Sequence, residues 1–192
     1  MRLTISELNQ LEQNDFVRLI GPVFEHSPWI AETAWSQRPF ASLEKLHAAL
    51  CESVRDAGEA KQLALILAHP DLVGKLARAG CLTKESSREQ ASAGLDQLTW
   101  EEIALFETNN AAYQAKFGFP FVICARLNKK DAILTGSKSR LQNSHAQELK
   151  TALEEIFKIT ELRLRDLIAH DLCPPNKART SSTPRTAARR TE

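Results

Sequence analysis

Leu63-Ala64-Leu65-Ile66-Leu67-Ala68-His69-Pro70-Asp71-Leu72 is the stretch that decides how this chain is built. Six apolar residues in succession read as the buried end of a helix. Pro70 stops it, because the ring disfavours helical geometry at the residue before it and removes the next amide donor. His69 therefore stands at the break, walled by aliphatic side chains. Partial desolvation there tunes an imidazole as an acid or base near neutral pH. The plainer role for such a histidine is to cap the helix C-terminus, where its protonated form suits the dipole.

Outward from this break the chain reads as helices joined by short connections. Thr4-Ile5-Ser6-Glu7 carries helix-start chemistry, and Asn14-Asp15 precedes a short apolar helix from Phe16 to Leu19. After Gly21-Pro22 comes Phe24-Glu25-His26-Ser27-Pro28-Trp29-Ile30, where Ser27 is expected to cap a helix with Pro28 at its first position. Ser42 opens a helix running towards Ser53 and Val54, and another spans about residues 58–68. Thr99-Trp100-Glu101-Glu102 is a capping box, followed by Ile103, Phe106, Asn110 and Tyr113 at helical spacing and by Gly118 as the stop. Phe119-Pro120-Phe121-Val122-Ile123-Cys124-Ala125 is apolar and partly β-branched, so it is expected to be extended and buried, without evident partner strands. Its backbone groups need partners, and a polar ligand is one way to supply them.

The last long helix is expected from about residue 144 to 168. At 100° per residue it places Leu149, Ala152, Leu153, Ile156, Ile159 and Leu167 on one face, with Arg163 inside that arc and Arg165 nearly opposite. A guanidinium on a core-facing stripe requires an anion, either an internal carboxylate or part of a site. Beyond Cys173-Pro174-Pro175 no apolar residue exceeds alanine, so residues 172–192 read as a basic disordered tail after a helical domain of residues 1–171.

Bulk numbers exclude several functions. A chain of 192 residues can bury a core without staples, and 25 Lys+Arg against 24 Asp+Glu argues against a dedicated nucleic-acid binder. Cys51, Cys81, Cys124 and Cys173 lie far apart and show no metal-ligand spacing with the histidines, as expected of thiols in a reducing cytoplasm. No stretch is apolar for long enough to cross a bilayer.

A second polar cluster, Ser86-Ser87-Arg88-Glu89-Gln90, contains Ser86-x-x-Glu89, a capping-box pattern that makes it a helix N-terminus with free amides. His69, this turn, the segment from Phe121 to Ala125 and Arg163 together offer an acid/base, amide donors, a carboxylate and a cation. None of them needs a metal.

Four stretches in register carry a resemblance: His69-Pro70-Asp71-Leu72, Leu82-Thr83 through Glu89-Gln90-Ala91-Ser92-Ala93-Gly94-Leu95, Lys116-Phe117-Gly118-Phe119-Pro120-Phe121, and Glu154-Glu155-Ile156 leading to Leu162-Arg163-Leu164. From about Leu8 to Leu167 the chain resembles the family of 2-oxo-4-hydroxy-4-carboxy-5-ureidoimidazoline (OHCU) decarboxylases, which complete the conversion of urate to (S)-allantoin. The resemblance implies an all-α, single-domain bundle with one buried extended segment, free of cofactors and forming a homodimer. It implies His69 and Glu89 as catalytic residues. The implied substrate contacts are Pro70, Ser86, Ser87, Arg88, Glu89 and Gln90 on one side and Phe121, Val122, Ile123, Cys124, Ala125 and Arg163 on the other. The expected partner is the small molecule OHCU, with association with upstream urate-pathway enzymes open, and neither nucleic acid nor membrane. The chain ends Arg190-Thr191-Glu192 in place of a peroxisomal tripeptide, so a cytoplasmic location is expected. The alternative is a non-catalytic helical module that senses a ligand or scaffolds a urate-degrading assembly.

Overall fold

Cap chemistry and apolar spacing set the helices in place. In the computed structural model, which describes residues 3–74 and 82–169, they run in the order α1 (Ile5–Asn9), α2 (Gln13–Ile20), a 3₁₀ turn (Gly21–Val23), α3 (Trp29–Trp35), α4 (Leu43–Arg55) and α5 (Glu59–Leu67). Then follow α6 (Lys84–Ser92), α7 (Trp100–Phe117), a 3₁₀ turn (Ala125–Leu127), α8 (Lys130–Arg140) and α9 (His145–Leu167). Thr4, Thr99 and Ser144 each close a reciprocal capping box with the Glu or Gln three residues on, and Ser42 caps α4. Gly118 ends α7 in the left-handed conformation at φ 76°, which a side chain would strain. The expected tail of residues 172–192, together with Cys81 and Cys173, lies outside the described residues.

Two local expectations change. α3 begins at Trp29 with Pro28 at the cap position, and no side chain caps it, so Ser27 is not the cap. α8 had no sequence signal: of its eleven residues only Ile133 and Ser137 are buried, too few to print a helical stripe.

The architecture is all-α. Among the described residues the β-pairing is one isolated parallel bridge, Leu3 with Ile168, extended by the Ala169 amide donating to the Leu3 carbonyl at 2.8 Å. α9 is the central element. Its buried face carries Ala152, Leu153, Ile156, Phe157, Ile159 and Leu164 and packs against α4 and α5. Ile156 is fully buried, so Ile156→Ala would cost about 2–5 kcal/mol in lost transfer energy and cavity formation. Phe119–Cys124 is non-helical and passes through the interior, as the apolar pattern required.

Candidate active site

His69 is presented by the break that Pro70 enforces. α5 ends at Leu67, and the His69 amide still reaches back to the Ile66 carbonyl at 3.1 Å. The ring turns inward, with Nδ1 2.9 Å from the Leu65 carbonyl. A carbonyl only accepts, so Nδ1 carries the proton of the neutral ring and Nε2 holds the lone pair. Burial pushes the pKa down to about 4, against the opposing pull of the Leu65 bond and the Glu25 charge. The imidazole is therefore neutral at pH 7: it caps α5 through the Nδ1–Leu65 bond, but without the cation that would suit the helix dipole, because desolvation outweighs that attraction.

The turn after His69 is held in place from three sides. Asn110 donates to the Leu72 carbonyl at 2.8 Å, Gln114 reaches Asp71 at 3.2 Å, and the Val73 amide donates to the Gln90 side chain at 3.2 Å. Val73 sits at φ 56°, a strained conformation for a β-branched residue. Such strain persists only where the surroundings over-determine it.

Arg163 meets two carboxylates. Its Nε and Nη2 donate to the two oxygens of Glu89 at 2.8 and 2.7 Å, and Nη1 donates to Glu25 at 3.0 Å and to the Val23 carbonyl at 3.3 Å. Burial opposes its charge, but Glu89 and Glu25 outweigh burial and raise its pKa further. Glu25 is 4% exposed and also accepts from the hydroxyls of Thr83 and Ser86 at 3.2 and 3.3 Å. Its own burial would raise its pKa, yet the Arg163 charge and bond hold it below the ordinary carboxylate range. Two carboxylates on one guanidinium leave the cluster with a net charge of about −1.

The anion demanded by Arg163 was legible in its helical phase, whereas Glu25 as one of its partners was not. Glu25 lies in a turn without periodicity, 138 residues away in sequence. The one signal was an acidic residue inside the otherwise apolar and helix-starting run from Phe24 to Ile30.

α6 corrects another expectation. The helix starts at Lys84, and Thr83 is its cap, accepting from the Ser86 amide at 3.2 Å. The Ser87 amide is bonded to the Thr83 carbonyl at 2.9 Å. Ser86-x-x-Glu89 is thus an i, i+3 pair inside the helix. α6 gives the site side chains in place of free amides.

These elements enclose a narrow cleft of about 40 Å³, room for two or three waters. His69 and Pro70 line it from the break, Ser86, Glu89 and Gln90 from α6, and Ile159 and Arg163 from α9. Phe121, Val122, Ile123 and Ala125 form the remaining wall. Ser87 and Arg88 do not join it, because the face that carries residues 86, 89 and 90 turns them to solvent. Arg88 instead borders a neighbouring cavity of about 410 Å³ across the Arg163–Glu89 pair. Cys124 is buried outside the cleft, its amide donating to Glu155 at 2.8 Å. Among the described residues no group of three or more His, Cys, Asp and Glu is placed to hold a metal ion.

The profile of one known family, OHCU decarboxylase, matches residues 9–165. The chain belongs to the OHCU decarboxylase family. A family relative from Halalkalicoccus jeotgali, named 2-oxo-4-hydroxy-4-carboxy-5-ureidoimidazoline decarboxylase, is 42% identical over 86% of this chain and 92% of its own length. A uric acid degradation bifunctional protein from Bacillus sp. is 40% identical over 86% of this chain and 32% of its own. Among solved structures, an (S)-allantoin synthase superposes with a TM-score of 0.69 at 26% identity, covering 87% of this chain and 54% of that one. An OHCU decarboxylase solved in the presence of (S)-allantoin shares the fold, with a TM-score of 0.61 at 23% identity over 82% of this chain and 98% of that one.

Proposed function

We propose that this chain decarboxylates OHCU to (S)-allantoin without a cofactor, using the His69 cleft. One observation carries the reading: a buried, neutral imidazole lines the cleft with Nδ1 tied to Leu65, and its Nε2 has no partner among the described residues.

The substrate's name defines the chemistry. C4 carries a hydroxyl and a carboxylate, and C5 is imine-like and carries the ureido group. As the C4–CO₂ bond breaks, its electron pair forms a C4–C5 double bond and the imine pair moves to the ring nitrogen, which takes a proton from solvent. The substrate is its own electron sink. The resulting enol then transfers its hydroxyl proton to C5, and the face that receives it fixes the hand of allantoin. Neutral His69 can accept the hydroxyl proton at Nε2 and return it to C5, with no net change in its charge. Glu89, held by two bonds from Arg163, accepts hydrogen bonds from the hydroxyl or ureido donors of the ligand. The amide and carbonyl groups of Phe121 and Ile123, which have no partner among the described residues, suit the ring carbonyl and ureido group.

Residues 1–171 are the proposed catalytic domain and 172–192 an appended tail. A homodimer in the cytoplasm suits this reading, as do upstream urate-pathway enzymes as neighbours. The bifunctional relative supports the upstream neighbours.

The test is to supply freshly generated OHCU and follow circular dichroism. Accelerated appearance of (S)-allantoin is expected. Racemic product at the spontaneous rate would overturn the reading, and a folded chain that bound allantoin without acceleration would be a sensing module.

A further inference from the structure

The non-helical wall of the cleft is held from behind by two carboxylates of α9, one fully buried and one partly buried. Glu148 is fully buried and accepts from the Tyr113 hydroxyl, from Asn143 at 2.7 Å and from Arg140 Nε at 2.8 Å. Arg140, so fixed, lies 4.5 Å over the Phe121 ring and donates through Nη1 to the Val122 carbonyl at 2.8 Å. Two turns further along α9, Glu155 accepts the Cys124 amide at 2.8 Å while Lys158 bonds its other oxygen.

In extended backbone the N–H and C=O of one residue point to the same side, and successive residues alternate. Pinning the Val122 carbonyl and the Cys124 amide on one side turns both backbone groups of Ile123 to the other. Neither group of Ile123 or of Phe121 has a partner among the described residues, whereas the Cys124 carbonyl is taken by Asn128 at 2.9 Å. Ile123 and Phe121 both line the cleft. Glu148, Glu155 and Arg163 follow one another at seven and eight residues, about 10 and 12 Å along the helix. One rigid element therefore sets the distance between the wall's polar groups and the cation that holds Glu89.

We propose that Glu155 and the Arg140–Glu148 pair are positioning residues that aim the Phe121 and Ile123 backbone groups at the ligand. This rests on the decarboxylase reading above. Neither group touches the reacting atoms; each acts through the peptide it grips. A displacement of about 1 Å in such a wall is enough to cost roughly 10²-fold in rate.

The test compares Glu155→Leu, which removes the acceptor, with Glu155→Gln, which keeps a carbonyl oxygen for Cys124. A second pin is probed by Arg140→Met/Glu148→Gln, made together so that no charge is left buried alone. Leu46→Ala, in the core of α4, serves as a control for stability. Glu155→Leu is expected to lose about 10- to 100-fold in kcat and most of its enantiomeric excess. Glu155→Gln should restore both, and the double variant should resemble Glu155→Leu. The control should melt earlier with normal product handedness. Hydrogen exchange at the Cys124 amide, read without substrate, should quicken in Glu155→Leu. Wild-type kcat and enantiomeric excess in folded Glu155→Leu would overturn the proposal, as would equal damage in Glu155→Gln. Unchanged exchange at Cys124 would overturn the pin itself, whatever the activity. Failure of the wild-type protein to turn over OHCU would instead overturn the functional reading.

Discussion

Two guanidiniums, the partly buried Arg140 and the buried Arg163, are held in opposite ways. Arg140 faces one carboxylate, Glu148, which is also satisfied by neutral donors, and the cluster balances to zero charge. Arg163 faces two carboxylates, Glu25 and Glu89, and that cluster keeps a negative charge in contact with the cleft. A balanced cluster is complete and can only hold. An unbalanced one sits beside a neutral imidazole and raises the proton affinity that burial lowers. The difference separates scaffolding, through Arg140 of α8, from chemistry, through Arg163 of α9.

The comparison breaks first at His69. His69→Asn should keep the fold, since asparagine tolerates helix ends, yet lose roughly 10²-fold or more in rate together with the preference for (S)-allantoin. Thermal midpoint and product handedness measured on one sample decide it; folded His69→Asn making (S)-allantoin at the normal rate would return His69 to a structural role.

The two faces of α9 come next. Arg163→Leu leaves Glu25 and Glu89 buried without their cation and should cost about 3–5 kcal/mol with loss of activity. Arg165→Leu removes a half-exposed i, i+4 contact with Glu161 and should cost about 0.5 kcal/mol or less. Chemical denaturation of both variants checks the pair, and equal small effects would mean that Arg163 is not the keystone described.

Glu25→Gln sharpens the role of the excess charge. Arg163 keeps Glu89, so the fold should survive. The Glu25 charge raises the His69 pKa, so its removal should lower that pKa further. The acid limb of kcat/KM, expected near 4 in the wild type and well below the ordinary 6.5 of histidine, should move to lower pH. No movement would show that Glu25 does not speak to His69.

A further effect is on stability against pH. The folded His69 has a lower proton affinity than the unfolded chain, so its contribution is whole above pH 6.5 and is lost as pH falls towards 4. His69→Asn should flatten that part of the stability profile measured in urea.

Much of this was written locally. The stop at Pro70, the cap at Thr99, Gly118 and the phase of Arg163 depend on residues within a turn or two, and each is found where the sequence placed it. What failed was register and reach. Thr83 and Ser86 both carry a hydroxyl that can cap a helix; the structure uses Thr83, while the Ser86 hydroxyl donates to Glu25. The extended segment was recognised as lacking partner strands, but its actual partners are side chains of α8 and α9, which no periodicity announces. Long-range ion pairs leave no local pattern at either end.

The parallel bridge between Leu3 and Ile168 has a bearing on how such a domain is strung together with others. In a parallel pair both chain segments travel the same way, so the polypeptide enters the fold at one end of the bridge and departs at the other. At Leu3 and Ile168 themselves the entering and departing segments therefore leave the bridge at opposite ends. Tension applied through those two segments would load the bridge in shear, at the foot of the helix that carries Arg163.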